Sequence, residues 1–184
     1  MNSLKKTLGV VLLSLMALLP TQAQDTNHLR WIELEPFTQV QVQLDAYVIL
    51  VKSSRNHITL QGDSATIADF EYVVEDGILS LDHLDAYPGD VDRVLIEYTD
   101  LDIITTGGTG DYFFTNVDQK KLYILNPSAN IYLEGNARDL NLISFDGTTD
   151  LSKLSSRKEV LFVGESAQVI NASQRAKTIV FNDN

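Results

Sequence analysis

The stretch "LDIITTGGTGDYFF" at residues 101–114 decides how this chain folds, because similar stretches follow it along the sequence. Each begins with apolar residues that flank a variable one, continues through small or polar residues, and closes with a second apolar run. A repeat period of about 20 residues is typical of solenoids, whose units bury their apolar faces only by stacking on one another. The later units are "LYILNPSANIYLEG" (122–135), "LNLISFDGTTDLSKL" (140–154), "VLFVGESAQVINAS" (160–173) and the incomplete "IVFNDN" (179–184).

The same alignment predicts which side chains fill the interior. Residues two apart in a strand share a face, so matching apolar residues of successive units should stack about 4.8 Å apart. A polar residue precedes the second apolar run of each unit, at Asp111, Asn130, Asp150 and Gln168. The predicted interior columns are Leu101, Leu122, Leu140, Val160 and Ile179, and Ile103, Ile124, Leu142, Phe162 and Phe181.

The glycines of the first unit raise a separate question, because glycine-rich loops also bind phosphate groups. A phosphate loop requires a helix directly after the glycines, so that its N-terminal amides face the anion. Gly110 is instead followed by "DYFFTNV" (111–117), which is typical of a strand, and the chain contains no Gly-Lys-Ser/Thr motif. The sequence therefore predicts that Gly107, Gly108 and Gly110 form a tight corner between two strands.

The residues before the repeat also predict strands. "VQVQLDAYVILVK" (40–52), "HITLQG" (57–62) and "DRVLIEY" (92–98) have strand-like patterns, and only "SATIADFEYV" (64–73) is a short helical candidate. The Asp76-Gly77 dipeptide between two strand-like runs favours the tight turn of a hairpin. The predicted fold is all-β: a parallel β-helix-like solenoid of short strands with rungs of about 20 residues, preceded by N-terminal strands that include the β-hairpin.

The start of the chain has the layout of a secretory signal peptide. Lys5 and Lys6 precede the apolar run 8–20, and small residues surround Ala23. The run is shorter than the roughly 20 residues of a bilayer-spanning helix, so we expect cleavage after Ala23 and no membrane insertion afterwards. The expected organisation is a signal peptide (1–23), an N-terminal segment (24–36) and one β domain (37–184), with N-terminal strands and hairpin at 37–100 and repeat rungs at 101–184.

Composition excludes several classes of function. The chain has no cysteine, which excludes disulfides, thiolate catalysis and thiolate metal sites. It carries 14 basic and 25 acidic residues, a net charge of −11, and loss of Lys5 and Lys6 with the signal peptide gives 12 − 25 = −13. Such an acidic surface repels phosphate backbones and anionic lipids, so nucleic acid is not an expected partner.

Taken in order, these segments resemble a known family. "FTQVQVQLDAYVILVKSS" (37–54), "ITLQGDSATIADFEYVVEDGILSLDH" (58–83) and turns such as "GGTGDYFF" (107–114) are similar to the "putative auto-transporter adhesin, head GIN domain" family of Gram-negative envelopes. The resemblance covers nearly all of the chain from about Phe37 onwards. It implies an all-β fold dominated by a parallel, coil-like stack of short strands, in an exported protein associated with the cell envelope or surface.

No catalytic constellation is evident in the sequence. His28, His57 and His83 have no metal-ligand spacing, and each is expected to face solvent in a strand or turn. Ser166 in "VGESAQ" lacks the second glycine and the following helix of a nucleophile elbow. We therefore expect no enzyme, no cofactor, and no catalytic, cofactor-binding or metal-binding residues. The acidic stretch 82–92 lacks the order of a calcium loop, and loose calcium binding there stays open.

Carboxylates and aromatic residues leave two further alternatives open. Asp111 and Asp150, about 10 Å apart if they lie two strands apart, could serve a polysaccharide-cleaving enzyme, although both are expected to shape turns. Exposed aromatic side chains of the first two units could stack on sugars or on a protein, although we expect them to cover the junction with the N-terminal strands. These residues are Tyr112, Phe113, Phe114, Tyr123 and Tyr132.

The sequence thus predicts an exported, non-enzymatic β-solenoid protein that acts as an adhesin-like binding module in the periplasm, at the cell surface or outside the cell. Its expected partner is an envelope protein or a glycan. A polysaccharide-acting enzyme and a structural or assembly module are the alternatives. The incomplete final unit leaves an uncapped end, which would permit a homo-oligomer.

Overall fold

The computed structural model describes residues 28–82, 91–170 and 177–181, and nearly all of them lie in β-strands. The prediction of an all-β fold is therefore confirmed. The elements in chain order are β1 (His28–Glu33), β2 (Gln39–Gln43), β3 (Tyr47–Lys52), β4 (His57–Gly62), α1 (Ser64–Ala68), β5 (Val73–Glu75), β6 (Ile78–Asp82), β7 (Val91–Tyr98), β8 (Ile103–Gly107), β9 (Asp111–Asn126), β10 (Asn130–Ser155), β11 (Lys158–Ile170) and β12 (Lys177–Phe181).

Some predicted features lie outside the described residues. They include the signal peptide at 1–23, His83 and most of the acidic stretch 82–92. Within the described ranges, no helix has the length and apolar character needed to cross a lipid bilayer.

The strands form a mixed sheet. Nine of the strands form a continuous path in the order β1-β4-β7-β3-β9-β8-β2-β6-β5, and β10, β11 and β12 follow β9 as successive neighbours. Antiparallel pairing joins β1 to β4, β4 to β7 and β5 to β6. The other pairs are parallel, so that β2 lies between β6 and β8, and β3 lies between β7 and β9.

Period-two alternation places one face of these strands in the core. In each of β2, β3, β4 and β7, two aliphatic side chains separated by one residue are buried, while the residue between them faces the other side of the sheet. Burial of such side chains contributes about 1.5–3 kcal/mol each to folding. The residues are Val40, Val42, Val48, Leu50, Ile58, Leu60, Val94 and Ile96.

The hairpin and the short helix form where the sequence indicates. Asp76 and Gly77 have φ angles of 51° and 76°, and two positive φ angles are the requirement of the tight turn that joins β5 to β6. The Asp63 side chain caps α1 by accepting hydrogen bonds from the backbone N–H groups of Ala65 and Thr66. The helix ends after five residues, and a strand follows it.

The glycine-rich stretch forms a corner between strands, as predicted. Strand β9 begins at Asp111, directly after Gly110, so no helix is present to bind a phosphate group. A Cβ atom at Gly110 would lie 2.5 Å from the Leu44 carbonyl oxygen and 2.6 Å from that of Ala46. The corner therefore requires glycine because the connection between β2 and β3 packs directly against it.

The central repeat units pair as the alignment predicts. Leu122 pairs with Leu140, and Ile124 pairs with Leu142, in the parallel register of β9 and β10. All four side chains are buried. The two strands therefore contribute matching aliphatic residues to a shared interior.

The alignment of the flanking units is wrong by one residue. Ile104 takes the interior position predicted for Ile103, and Leu161 takes the one predicted for Phe162. Both segments contain consecutive apolar residues, "II" at 103–104 and "VLFV" at 160–163, which fit either face of a strand. A slip of one residue exchanges the two faces, and neither apolar run contains a polar residue that would fix the choice.

A buried tyrosine hydroxyl connects the two halves of the chain. The Tyr112 hydroxyl accepts a hydrogen bond from the Leu44 N–H at 3.0 Å and donates to the Gly107 carbonyl oxygen at 2.7 Å. Burial raises the pKa of Tyr112 to about 12, so the hydroxyl keeps its proton at neutral pH. It joins the end of β8 to the β2–β3 connection.

We expect Tyr112→Phe to lower the free energy of unfolding by about 1–3 kcal/mol, because it leaves the buried Leu44 N–H without an acceptor. Urea unfolding followed by circular dichroism measures the change. Tyr47→Phe is the control, because Tyr47 is 39% exposed, and it should cost less than about 0.5 kcal/mol. Equal losses in the two variants would contradict a structural role for the Tyr112 hydroxyl.

Candidate binding site on the outer sheet face

One row of side chains crosses six strands on the face of the sheet opposite the core. The paired registers bring these residues into line, although they are far apart in the sequence. Neighbouring strands lie about 4.8 Å apart, so the row is about 24 Å long. We call it the outer row; in order it consists of Trp31, Thr59, Leu95, Ile49, Phe113 and Tyr132.

Three aromatic rings stack at one end of the outer row. The ring centroids of Tyr47 and Phe113 are 4.5 Å apart with an interplanar angle of 27°, and those of Phe113 and Tyr132 are 4.6 Å apart at 8°. The Arg93 guanidinium lies 5.5 Å from the Tyr47 ring centroid. We call these three rings the aromatic stack. Each ring pair contributes about 0.5–1.5 kcal/mol beyond burial. Phe113 lies between the other two rings, so Tyr132 is stacked on one face only.

A cleft opens beside the last ring of the aromatic stack. Its volume is about 200 Å³, and Phe113 and Tyr132 line it together with polar and charged side chains. Phe113 covers one face of Tyr132, and Asp150, Ser152 and Lys153 from the later part of β10 also line the cleft. We call it the aromatic cleft; its polar lining residues are Thr115, Glu134, Asp150, Ser152 and Lys153.

The polar groups of the aromatic cleft are both donors and acceptors of hydrogen bonds. The Lys153 ammonium nitrogen lies 3.6 Å from a carboxylate oxygen of Glu134, and both side chains are more than half exposed. One carboxylate oxygen of Asp150 accepts a hydrogen bond from the Ser152 N–H at 2.8 Å. The cleft therefore surrounds an aromatic ring with groups that can bind hydroxyls.

A charged cluster lies in the row next to the outer row. Arg55 donates two hydrogen bonds to one carboxylate oxygen of Glu97, at 2.8 and 3.0 Å, and Ser53 donates to the other at 3.1 Å. The Arg55 hydrogen bonds hold the pKa of Glu97 below its usual value, against the opposing effect of burial. Glu97 is therefore ionised at neutral pH and fixes this cluster beside Leu95 of the outer row.

The prediction that His57 faces solvent is wrong. Its side chain is only 13% exposed and lies 3.6 Å from Glu97. Trp31 covers it, with the two rings edge to face and their centroids 6.2 Å apart. The reason is strand β1, which the sequence patterns did not predict and which brings Trp31 over β4.

The polar residues aligned from the repeat match only in part. Asn130 pairs with Asp111, and its side-chain amide donates to the Asp111 carboxylate at 3.1 Å. In the next unit, Thr148 occupies the position that the alignment gave to Asp150. Its backbone N–H donates to the Asn130 side-chain oxygen at 3.2 Å, and Thr148 pairs with Gln168. Asp150 lies two residues further along the chain, because the segment between Leu142 and the paired position is two residues shorter than the alignment assumed.

The structure does not bring Asp111 and Asp150 into one cleft. Asp111 lines a different depression together with Asp45 and Tyr47, whereas Asp150 lines the aromatic cleft. Ser166 lies within β11 and pairs with Asp146. Within the described ranges, no three or more His, Cys, Asp or Glu side chains are grouped closely enough to hold a metal ion.

The aromatic residues of the first two units divide between the two faces of the sheet. Tyr112 and Phe114 are fully buried, and Tyr112 contacts the N-terminal strands as expected. Phe113 and Tyr132 lie on the outer face in the aromatic stack, and Tyr123 is 45% exposed elsewhere on that face. The sequence analysis did not identify Trp31 or Tyr47 as site residues; the only signal for Tyr47 is its alternation with buried Val48.

Comparisons with known proteins identify one family and several solved structures that are similar to this chain. A family model described as "Putative auto-transporter adhesin, head GIN domain" matches residues 36–174. A crystal structure of "a putative adhesin" from Bacteroides fragilis is similar at a TM-score of 0.60 and 12% identity, over 87% of this chain and 98% of that chain. Another, from Parabacteroides merdae, has a TM-score of 0.58 and 12% identity, over 85% and 76%. These likenesses show the fold alone. No curated protein matches the chain.

Proposed function

Because the chain belongs to the family described as "Putative auto-transporter adhesin, head GIN domain", we propose that it is a non-enzymatic, adhesin-like domain that binds a neutral glycan in the aromatic cleft. One observation carries the proposal: the cleft places the Tyr132 ring among hydroxyl, carboxylate and ammonium groups. A sugar ring has an apolar face and a rim of hydroxyls, which match an aromatic surface bordered by hydrogen-bonding groups.

The size and charge of the aromatic cleft favour a neutral sugar over other occupants. A volume of about 200 Å³ is below that of most drug-sized ligand pockets and is suited to a single ring. Glu134 and Asp150 supply two carboxylates against the single ammonium of Lys153, which disfavours an acidic ligand. Trp31, 71% exposed at the far end of the outer row, offers a second aromatic contact to a chain of several sugars.

The test uses the chain without its predicted signal peptide, residues 24–184, on a glycan array and then in calorimetry with the best neutral glycan. We expect Tyr132→Ala to weaken binding at least about tenfold, since loss of one stacked ring costs about 1.4 kcal/mol or more. The matched control is Tyr123→Ala, which removes another exposed tyrosine of the same face and should change the affinity less than about twofold.

Two results would overturn this proposal. One is unchanged glycan affinity in a Tyr132→Ala variant that keeps its cooperative thermal unfolding. The other is the absence of any neutral glycan among the array hits, together with specific capture of an envelope protein. The second result would assign the outer face to a protein partner.

The geometry gives little support to a polysaccharide-cleaving enzyme. The Asp111 carboxylate accepts a hydrogen bond from Asn130, and Asp150 lies in a different cleft. Glycan turnover that disappears in Asp111→Asn would nevertheless reverse this ranking.

The remaining parts of the proposal concern architecture and location. We propose that β8–β12 form a short solenoid, which the parallel registers from β8 to β12 support. We also propose that the protein is exported to the periplasm or the cell surface.

Among the described strands, β12 pairs only with β11, so its other edge could pair with a second copy of the chain. Sedimentation of a strict monomer at high concentration would count against such self-association.

A further inference from the structure

A second cleft lies at the corner where β3 ends and β9 and β10 bend. Its volume is about 660 Å³, within the usual range of small-molecule sites. Four basic and three acidic side chains line it, a local charge of +1 in a chain of net charge −11. We call it the corner cleft; its basic residues are Lys52, Lys120, Arg138 and Arg157.

Three of these basic residues lie on adjacent segments of the chain. Lys120 and Arg138 lie between two successive β9–β10 pairs, Gln119 with Ala137 and Lys121 with Asp139. The Arg157 N–H donates to the Arg138 carbonyl oxygen at 3.0 Å. Arg138 contacts the Asp139 carboxylate at 3.3 Å, whereas no ion pair among the described residues includes Lys120 or Arg157. Like charges on neighbouring strands repel one another, and an anion bound between them would remove that repulsion.

A buried amide at the wall of the corner cleft also lacks a partner. Gln119 is only 6% exposed and lines the cleft. Its side-chain nitrogen has no hydrogen-bond acceptor among the described residues. Buried N–H donors are nearly always satisfied in folded proteins, and an ordered water or a bound molecule at this wall would supply the missing acceptor.

We propose that the corner cleft binds an acidic sugar, whose carboxylate contacts Lys120, Arg138 and Arg157. The carboxylates of Asp100 and Asp102 also line the cleft and would accept hydrogen bonds from sugar hydroxyls. These aspartates disfavour a densely charged phosphate ligand, whereas a sugar with one carboxylate and several hydroxyls matches both sets of groups. The corner cleft and the aromatic cleft share no lining residue, so the inference does not depend on the neutral-glycan site.

The test is calorimetric titration of residues 24–184 with trigalacturonate, and with trigalactose and inorganic phosphate as comparison probes. We expect trigalacturonate to bind at least about tenfold more tightly than either, because only it combines carboxylates with hydroxyls. Lys120→Gln and Arg157→Gln should each weaken this binding about threefold, and the double variant about tenfold. Lys177→Gln is the matched control: it makes the same charge change at an exposed lysine and should have less than about a twofold effect.

Three results would overturn the inference. The first is equal affinity for trigalactose or for phosphate. The second is unchanged trigalacturonate affinity in a double variant that unfolds at the wild-type temperature. The third is loss of trigalacturonate binding in Tyr132→Ala, which would place the acidic sugar in the aromatic cleft. Retained binding in that variant supports the corner cleft even if the neutral-glycan proposal fails.

Discussion

Replacing Gly135 by alanine is expected to lower the free energy of unfolding by more than about 3 kcal/mol, as the sum of backbone strain and overpacking. Gly135 has a φ angle of 131°, which a residue with a Cβ atom rarely adopts. A Cβ atom there would lie 2.2 Å from the Val117 carbonyl oxygen and 2.6 Å from the Val117 nitrogen. Neither backbone atom can move without breaking the pairing of β9 with β10.

The position of Gly135 explains why the chain cannot relax around the new side chain. The β9–β10 register shifts between Leu133 and Gly135, where β9 contains one extra residue. Such a bulge leaves the ladder locally irregular and fixes the backbone of both strands. The destabilisation therefore arises at the centre of the sheet rather than in an exposed turn.

Gly77→Ala is the matched control for Gly135→Ala. Gly77 also has a positive φ angle, 76°, but a Cβ atom there would have no neighbour within 4 Å. We expect a loss of about 1–2 kcal/mol from backbone strain alone. Chemical denaturation of both variants separates strain from close contact, and losses of equal size would show that the contact with Val117 is unimportant.

Asn126→Ala is expected to cost about 3–5 kcal/mol, because it removes a fully buried side chain and its hydrogen bonds. The Asn126 amide oxygen accepts from Thr106 at 3.0 Å and from the Ala129 N–H at 2.9 Å. Its nitrogen donates to the Ala129 carbonyl oxygen at 3.0 Å and to Ser144 at 3.2 Å. The substitution would leave both backbone groups of buried Ala129 without these partners.

The control for Asn126 is Asn141→Ala. Asn141 lies in β10 on the half-buried outer side of the same sheet, so the expected loss is below about 1 kcal/mol. Urea unfolding monitored by tryptophan fluorescence and by circular dichroism compares the two variants. A loss for Asn126→Ala that is no larger than the control loss would refute a stabilising role for this buried polar cluster.

Local sequence signals predicted the elements whose structure depends on local geometry. Asp76 and Gly77 form the hairpin turn because the positive φ angles that they adopt are an intrinsic property of these residue types. The corner at Gly110 was predictable because a strand-forming segment, and no helix-forming one, follows this glycine. Alternating apolar residues, as in Val48 and Leu50, identified strands with one buried face.

Features that depend on the pairing of distant strands could not be predicted in this way. The alignment placed Val160 in the interior opposite Leu140, but Glu159 pairs with Leu140 and is buried. A charged residue inside a strand interior runs against the hydrophobic pattern, so the pattern favoured the wrong face. The Ser156 hydroxyl donates a hydrogen bond to the Glu159 carboxylate, and this contact depends on the turn before β11, which the pattern within a strand does not predict.

The candidate site illustrates the same limit. Tyr47 and Phe113 belong to different halves of the chain, and only the β3–β9 register brings their rings together. The aromatic cleft also depends on the position that the later part of β10 gives Asp150 relative to Tyr132. Because a shift of one residue reverses every side chain of a strand, a surface composed of several strands cannot be inferred from patterns within each one.

The placement of β2 and β3 between strands from both halves has a consequence for synthesis of the protein. Each pairs on one side with an N-terminal strand and on the other with β8 or β9. A nascent chain that has not yet reached Asp111 therefore exposes the unpaired edge of β3 to other chains. Since open edges promote aggregation, we expect the nascent polypeptide to depend on chaperone protection until β9 has been synthesised and pairs with β3.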